Sequence, residues 1–259
     1  MEGAARRREP ASGSDPTPWR EIFINPDQAA ATDSVAASIA GNHSLILMND
    51  ICNSTECKEI ATAASRGAAQ DRATRDPLFE SALLSPPARG TIRKHVDAFG
   101  CRSLCDEFLQ RQLQCLECVA PSLVTSLFGD VVSGATCLGN PQLQWSQGEP
   151  AINVYAPGGC FKPHTDDQSL TCLLNVSPNS GYTGGGTAFW RIGDGAATES
   201  QTKAGNGGLA DMNAAPSFVI APPEGSALIF CGSVTHAAQP ITSGERVVFV
   251  ASFSPRPRL

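Results

Sequence analysis

From Gly139 onward the chain is a succession of short β-rich runs separated by clusters of Gly, Pro, Asn and Ser: Ala151–Tyr155, Leu170–Val176, Thr187–Arg191, Ser217–Ile220, Ala227–Cys231 and Arg246–Phe253. Runs of this length are too short for core helices. Their spacing is that of an all-β sandwich or barrel. Upstream the pattern changes. Leu45–Met48 reads as a strand, and Ser54 or Asn53 can cap a helix that begins at Thr55 and carries the apolar stripe Cys57, Ile60, Ala61 and Ala64. Residues 66–76 are polar and read as a loop, and Pro77–Leu84 as a short helix stopped by Ser85-Pro-Pro87. The longest helical pattern runs from Arg102 to Ala120, is broken by Pro121, and has a further turn reaching Phe128. Asp33–Ile39 can form another short helix, in an Ala-rich stretch of ambiguous pattern.

Helices first and strands later predict an α+β unit, mainly β, with the N-terminal helices packed on one face of the sheet. Residues 1–18, rich in Arg, Pro, Ser and Gly, read as a disordered tail. The Gly-, Ala- and Asn-rich stretch 192–216 has no period; a connection this long is a lid, a binding loop or an insertion, and a lid is the reading adopted.

Composition narrows the function. The chain of 259 residues is 41% hydrophobic and 17% charged, which suits a packed domain. A net charge of -6 with no basic stripe argues against nucleic acid as a partner. No apolar run reaches membrane-spanning length, and the basic N-terminus lacks the apolar stretch of a signal peptide, so no membrane partner and a cytoplasmic location are expected. In that compartment the ten cysteines would be reduced. Cys101, Cys105, Cys115 and Cys118 invite a zinc reading. Their helical spacing favours buried thiols, because zinc knuckles sit on turns.

One constellation carries chemistry. In Asn153-Val-Tyr-Ala-Pro-Gly-Gly-Cys-Phe-Lys-Pro-His-Thr-Asp166, His164 and Asp166 are two residues apart and can share one face of a strand end. His236 stands about seventy residues on, past the run Ala227–Cys231, and Arg246 follows ten residues later. Two imidazoles and a carboxylate hold non-haem ferrous iron and leave positions open. The other two histidines, His43 and His95, lie in polar stretches and read as surface residues. Arg246 opens an apolar strand. It is either an edge residue paired with Glu245 or a bidentate donor to a carboxylate ligand facing into the barrel. Tyr155 could offer its hydroxyl to that carboxylate or be a half-buried core tyrosine. Asn153 and Thr171 add polar groups to the same face. Gly184-Gly-Gly186, followed by a strand, reads as a tight turn and not a phosphate loop.

Taken together these residues resemble the iron- and 2-oxoglutarate-dependent dioxygenases, in the prolyl 4-hydroxylase-like branch. The pattern Tyr-x-x-Gly-x-x-aromatic-x-x-His-x-Asp is matched by Tyr155, Gly158, Phe161, His164 and Asp166, and the distal His with a basic residue ten positions later by His236 and Arg246. Gly184–Phe189 and the entry Asp50–Cys57 are similar to further parts of the family, so the resemblance spans about residues 45–255. Two positions depart from it: collagen-type prolyl hydroxylases carry Lys where this chain has Arg246, and commonly Tyr where it has Phe161.

The resemblance implies a distorted double-stranded β-helix, or jelly roll, with a helical part over 45–130 and the β-helix core over 140–255. It implies Fe(2+) held by His164, Asp166 and His236, and 2-oxoglutarate bound by Arg246, Tyr155 and Thr171. Dioxygen is the oxidant, with L-ascorbate as an expected helper. The implied reaction hydroxylates a peptidyl residue, proline before lysine; a free amino acid or other small metabolite is the alternative, and a non-catalytic jelly-roll binding module a further one. The oligomeric state is left open.

Overall fold

The computed structural model describes residues 19–74, 90–128, 137–191 and 215–256. The expected tail (1–18), the short helix over 77–84 and nearly all of the 192–216 stretch lie outside them.

The β13 strand, Arg246–Pro255, organises the molecule. Its residues Val247, Phe249, Ala251 and Phe253 face one core and Val248 and Val250 another, so both faces are buried and the run is continuously apolar. Around it lies an antiparallel sheet formed by β1 (Trp19–Phe23), β2 (Ser44–Met48), β3 (Thr91–His95), β4 (Leu143–Trp145), β5 (Ala151–Tyr155), β6 (Leu170–Asn175) and β10 (Ala227–Phe230). The strand order is β1-β2-β10-β6-β13-β5-β3, with β4 also on β13. Smaller sheets are built from β11 (His236–Ala238), β8 (Thr187–Phe189) and β9 (Phe218–Ile220), and from β12 (Ile241–Gly244) and β7 (Tyr182–Gly184).

The helices are α1 (Pro26–Ala30), α2 (Val35–Ala40), α3 (Ser54–Thr74), α4 (Arg102–Val119) and α5 (Pro121–Phe128). Ile60 and Ala64 of α3, Phe108 and Leu109 of α4, and Val124 and Phe128 of α5 pack against Ile46, Ile152, Cys172, Ile229 and Phe249. The strand residues of opposite parity, Leu47, Tyr155, Leu173, Phe230 and Val248, cluster instead with Phe189, Tyr182 and Ile241 of the smaller sheets. Helices thus cover one face of the main sheet, as expected from the sequence. The period of two sends Asn153, Tyr155, Thr171 and Arg246 to the other face. Among the described residues no helix is long and apolar enough to cross a membrane.

Several expectations change. Residues 66–74 are not a loop but the end of α3. Ala, Gln and Arg sustain a helix well, and Ala68 continues the stripe of Cys57, Ile60 and Ala64 into the core. Its start follows the capping logic. The Asn53 side chain accepts from the amides of Thr55 and Glu56, and the Glu56 carboxylate returns to the Asn53 amide. Six strands, β1, β3, β4, β7, β11 and β12, were not anticipated, because each is three to five residues long with little apolar content or at a sheet margin. Of the cysteine group, Cys101, Cys105 and Cys115 are buried and Cys118 is exposed. His43 is half-buried rather than at the surface, and the His95 ring accepts from the Asp97 amide.

Gly184-Gly-Gly186 links β7 to β8, which lie in different sheets, so it is a passage between sheets rather than the expected tight turn, and it has a strict requirement. All three residues have positive φ, at 75°, 75° and 101°. A Cβ on Gly185 would lie 2.6 Å from Ile241 Cδ1 and 3.5 Å from Arg246 Cδ. Gly185→Ala is expected to destabilise the fold by at least about 1–2 kcal/mol, the penalty for a left-handed alanine, read as a lowered midpoint of denaturant unfolding.

Candidate metal centre

The peptide leading to the site runs antiparallel to β11. Phe161 donates its amide to Ala238, His164 and His236 exchange both backbone hydrogen bonds at 3.0 Å, and Asp166 donates to Gly232 at 2.8 Å. His164 is therefore an isolated bridge partner of His236 rather than the end of a regular strand. Direct opposition brings the two imidazoles to 4.5 Å between ring centres. Asp166 completes the set. Its Oδ1 is 3.6 Å from His164 Nε2 and its Oδ2 is 3.5 Å from His236 Nε2. One donor atom from each of the three lies within 4.8 Å of the others.

The tautomers follow from the backbone. His164 Nδ1 is 2.7 Å from the Lys162 carbonyl and His236 Nδ1 is 3.0 Å from the Val234 carbonyl. A carbonyl can only accept, so each Nδ1 carries the proton and each Nε2 lone pair faces the centre. This is the usual arrangement of metal-ligating histidines. Burial holds the His236 imidazole below its ordinary pKa and so favours the neutral, ligating form. Burial also acts to raise Asp166. It is outweighed by the facing His164 and His236 rings and by the hydrogen bond that the Thr171 hydroxyl donates, so the carboxyl lies well below the usual range and is ionised. The donor set thus suits a divalent transition ion, ferrous iron included.

Beside the triad is a cavity also lined by Arg93, Glu149, Asn153, Tyr155, Thr187 and Arg246. Arg246 is 2% exposed. Its Nη1 donates to the Gly186 carbonyl at 3.2 Å, its Nε is buried without a hydrogen-bond partner, and its guanidinium stands 5.9 Å from the Tyr155 ring centre. Glu245, the alternative partner considered from sequence, turns away to Ser65 and to Arg72 of α3. Tyr155, opposite Arg246 in the β5–β13 register, is buried, and its hydroxyl accepts from Asn153 Nδ2 at 3.1 Å. Desolvation raises its pKa, against the pull of Arg246, so it remains a protonated phenol.

Thr171 falls elsewhere. Its hydroxyl donates to Asp166 Oδ2 at 2.6 Å, and it is not among the residues lining the cavity; Thr187 is. Sequence reasoning missed Thr187, Arg93 and Glu149. Arg93 Nη2 pairs with Glu149 Oε1 at 2.5 Å, and its guanidinium lies 5.8 Å from the Phe161 ring centre. The Glu149 side chain is 2% exposed while 27% of the Arg93 side chain reaches solvent, so this pair spans from the interior to the cavity mouth. Burial raises Glu149, opposed by Arg93. Nothing in Thr91-Ile-Arg-Lys-His95 flagged the pair, since its partner is 56 residues away.

No protein-family model matches the chain, and no curated protein does. Among solved structures it is similar to a Pseudomonas putida prolyl-4-hydroxylase, at 15% identity over 88% of this chain and 99% of that one, with a TM-score of 0.50. Also similar are the viral collagen prolyl hydroxylase of Paramecium bursaria Chlorella virus-1 in its 2OG complex, at 13% identity, 82% and 95% coverage and TM-score 0.44, and a Trichoplax adhaerens prolyl hydroxylase in complex with a hypoxia inducible factor peptide fragment, at 14%, 88% and 91%, and 0.45. At these identities the likeness is one of fold, and this mainly β, antiparallel chain shares the fold of the Pseudomonas protein.

Proposed function

We propose that the protein is an Fe(II)- and 2-oxoglutarate-dependent dioxygenase, folded as a distorted double-stranded β-helix, that hydroxylates a peptidyl residue, proline before lysine. The observation that carries this reading is Arg246. A buried guanidinium costs several kcal/mol in desolvation unless an anion meets it, and here it lines the same cavity as two inward-facing imidazoles and a carboxylate. A dicarboxylate that chelates a metal at one end and needs a cation at the other suits that pairing.

His164 and His236 would hold the ion through Nε2, with Asp166 supplying the anionic ligand. Bound ferrous iron supplies the redox chemistry that couples decarboxylation of 2-oxoglutarate to oxidation of a substrate carbon. Arg246 binds the far carboxylate as a charge-assisted donor, and the protonated Tyr155 and Thr187 hydroxyls lie within the same cavity to add to it. Phe161, Phe189 and Phe230 surround the histidines and limit water.

The peptidyl assignment draws support from the mouth, where Arg93 on edge strand β3 presents a partly exposed guanidinium that can meet main-chain carbonyls. The fold-sharing Pseudomonas putida protein is a prolyl-4-hydroxylase. The same Arg93 could take the carboxylate of a free amino acid, which is the second reading. The test is succinate release from 2-oxoglutarate with ferrous iron and ascorbate, offering proline-rich peptides beside free amino acids. Turnover with peptides is the expected result. Turnover with free amino acids alone would move the assignment to a small-molecule hydroxylase. Metal binding without succinate from any substrate would leave a non-catalytic module.

A further inference from the structure

We propose that Thr171 is a positioning residue for the metal site: its hydroxyl orients the Asp166 carboxylate as a ligand, and Ser252 and Glu149 hold Thr171 in turn. The inference rests on the proposed metal-binding role of His164, Asp166 and His236. It departs from the sequence-based expectation that Thr171 binds the co-substrate.

Asp166 lies outside regular structure, followed by Asp167 with φ of 54°. Its backbone is anchored through Gly232, which leaves the carboxylate torsion to side-chain contacts. Without a fixed donor, that carboxylate is free to swing between the two histidines, both within 3.6 Å. Thr171 supplies the donor at 2.6 Å, a short charge-assisted hydrogen bond from a fully buried strand residue. A hydroxyl has one proton. Once it is given to Asp166, the Thr171 oxygen can only accept, and Ser252 Oγ stands 3.3 Å away, directly opposite in the β6–β13 register. The Ser252 amide donates to Glu149 Oε2, and the other Glu149 oxygen is held by Arg93. Thr171, Ser252 and Glu149 are 0%, 0% and 7% exposed. A buried, continuously bonded support of this kind under a ligating carboxylate tunes metal affinity.

The test measures Mn2+ affinity, as a redox-inert stand-in for ferrous iron, by calorimetry on the full chain, with thermal unfolding to confirm folding. Thr171→Val is expected to weaken binding by about 10–100-fold, and Thr171→Ser to recover most of the loss. Thr171→Ala carries the same expectation as the valine variant. With Mn2+ saturating, 2-oxoglutarate affinity is expected to stay at the wild-type level, because Thr171 acts through Asp166. Wild-type metal affinity in Thr171→Val, beside lost binding in His164→Ala, would overturn the positioning role alone. So would an equal loss in the valine and serine variants, or a loss confined to 2-oxoglutarate binding. Retained metal binding in His164→Ala would overturn the metal-site reading, and this inference with it.

Discussion

Replacing His236 with alanine is expected to abolish succinate release and to weaken ferrous binding by more than the about 10–100-fold that loss of a supporting partner costs. The reasoning starts from the backbone. His236 sits on β11 with both main-chain hydrogen bonds to His164, and these survive truncation of the side chain. What is lost is the imidazole whose Nδ1 is pinned to the Val234 carbonyl and whose Nε2 faces the centre. His164 and Asp166 remain, too few to enclose an ion. Thermal unfolding gives an independent reading. A ligand at 100 times its Kd stabilises a folded protein by about 2.7 kcal/mol, so ferrous iron should raise the wild-type melting temperature and leave that of His236→Ala unmoved. An equal rise in both proteins would remove His236 from the ligand set.

The cluster of His164, Asp166 and His236 was legible in the sequence because its geometry is local or nearly so. His164 and Asp166 are two residues apart, and His236 follows a run whose length and apolarity mark β10. The strands that build the main sheet were legible for the same reason: Ala151–Tyr155 and Arg246–Phe253 have both faces buried, so almost every position is apolar. β3 was not. Only Ile92 marks it as a strand, since its polar side chains are satisfied by partners distant in sequence, Lys94 by Asp71 and Arg93 by Glu149. Thr171 shows the same limit within a correctly placed strand. Its parity put it on the site face, as read, but whether its hydroxyl met a co-substrate or Asp166 depended on where the loop after His164 returns. That return is set by the Asp166 and Asp167 amides on the Gly232 carbonyl, and Gly232 itself closely approaches Gln168, where a Cβ would come within 2.4 Å of a backbone oxygen. Pairing of this kind has no periodic signature.

Arg246→Met is expected to move stability and affinity in opposite directions. In the ligand-free protein the guanidinium is a buried charge with an unsatisfied Nε, held by one carbonyl and one aromatic face. Replacing a buried charge with an apolar side chain of similar length is commonly neutral or stabilising, so the unfolding midpoint should hold or rise. Binding of 2-oxoglutarate should fall. Truncating one partner of a buried, hydrogen-bonded charge pair costs about 2–5 kcal/mol, which at the lower end is about 30-fold in affinity. Metal affinity should not change, because Arg246 touches none of the three ligands. Arg246→Lys keeps the charge, so it should retain much of the affinity lost in the methionine variant. The three quantities come from calorimetric titration with 2-oxoglutarate, titration with metal, and denaturant unfolding. Wild-type affinity for 2-oxoglutarate in Arg246→Met would show that the buried guanidinium serves some other anion, and the co-substrate assignment would fall while the metal site stood.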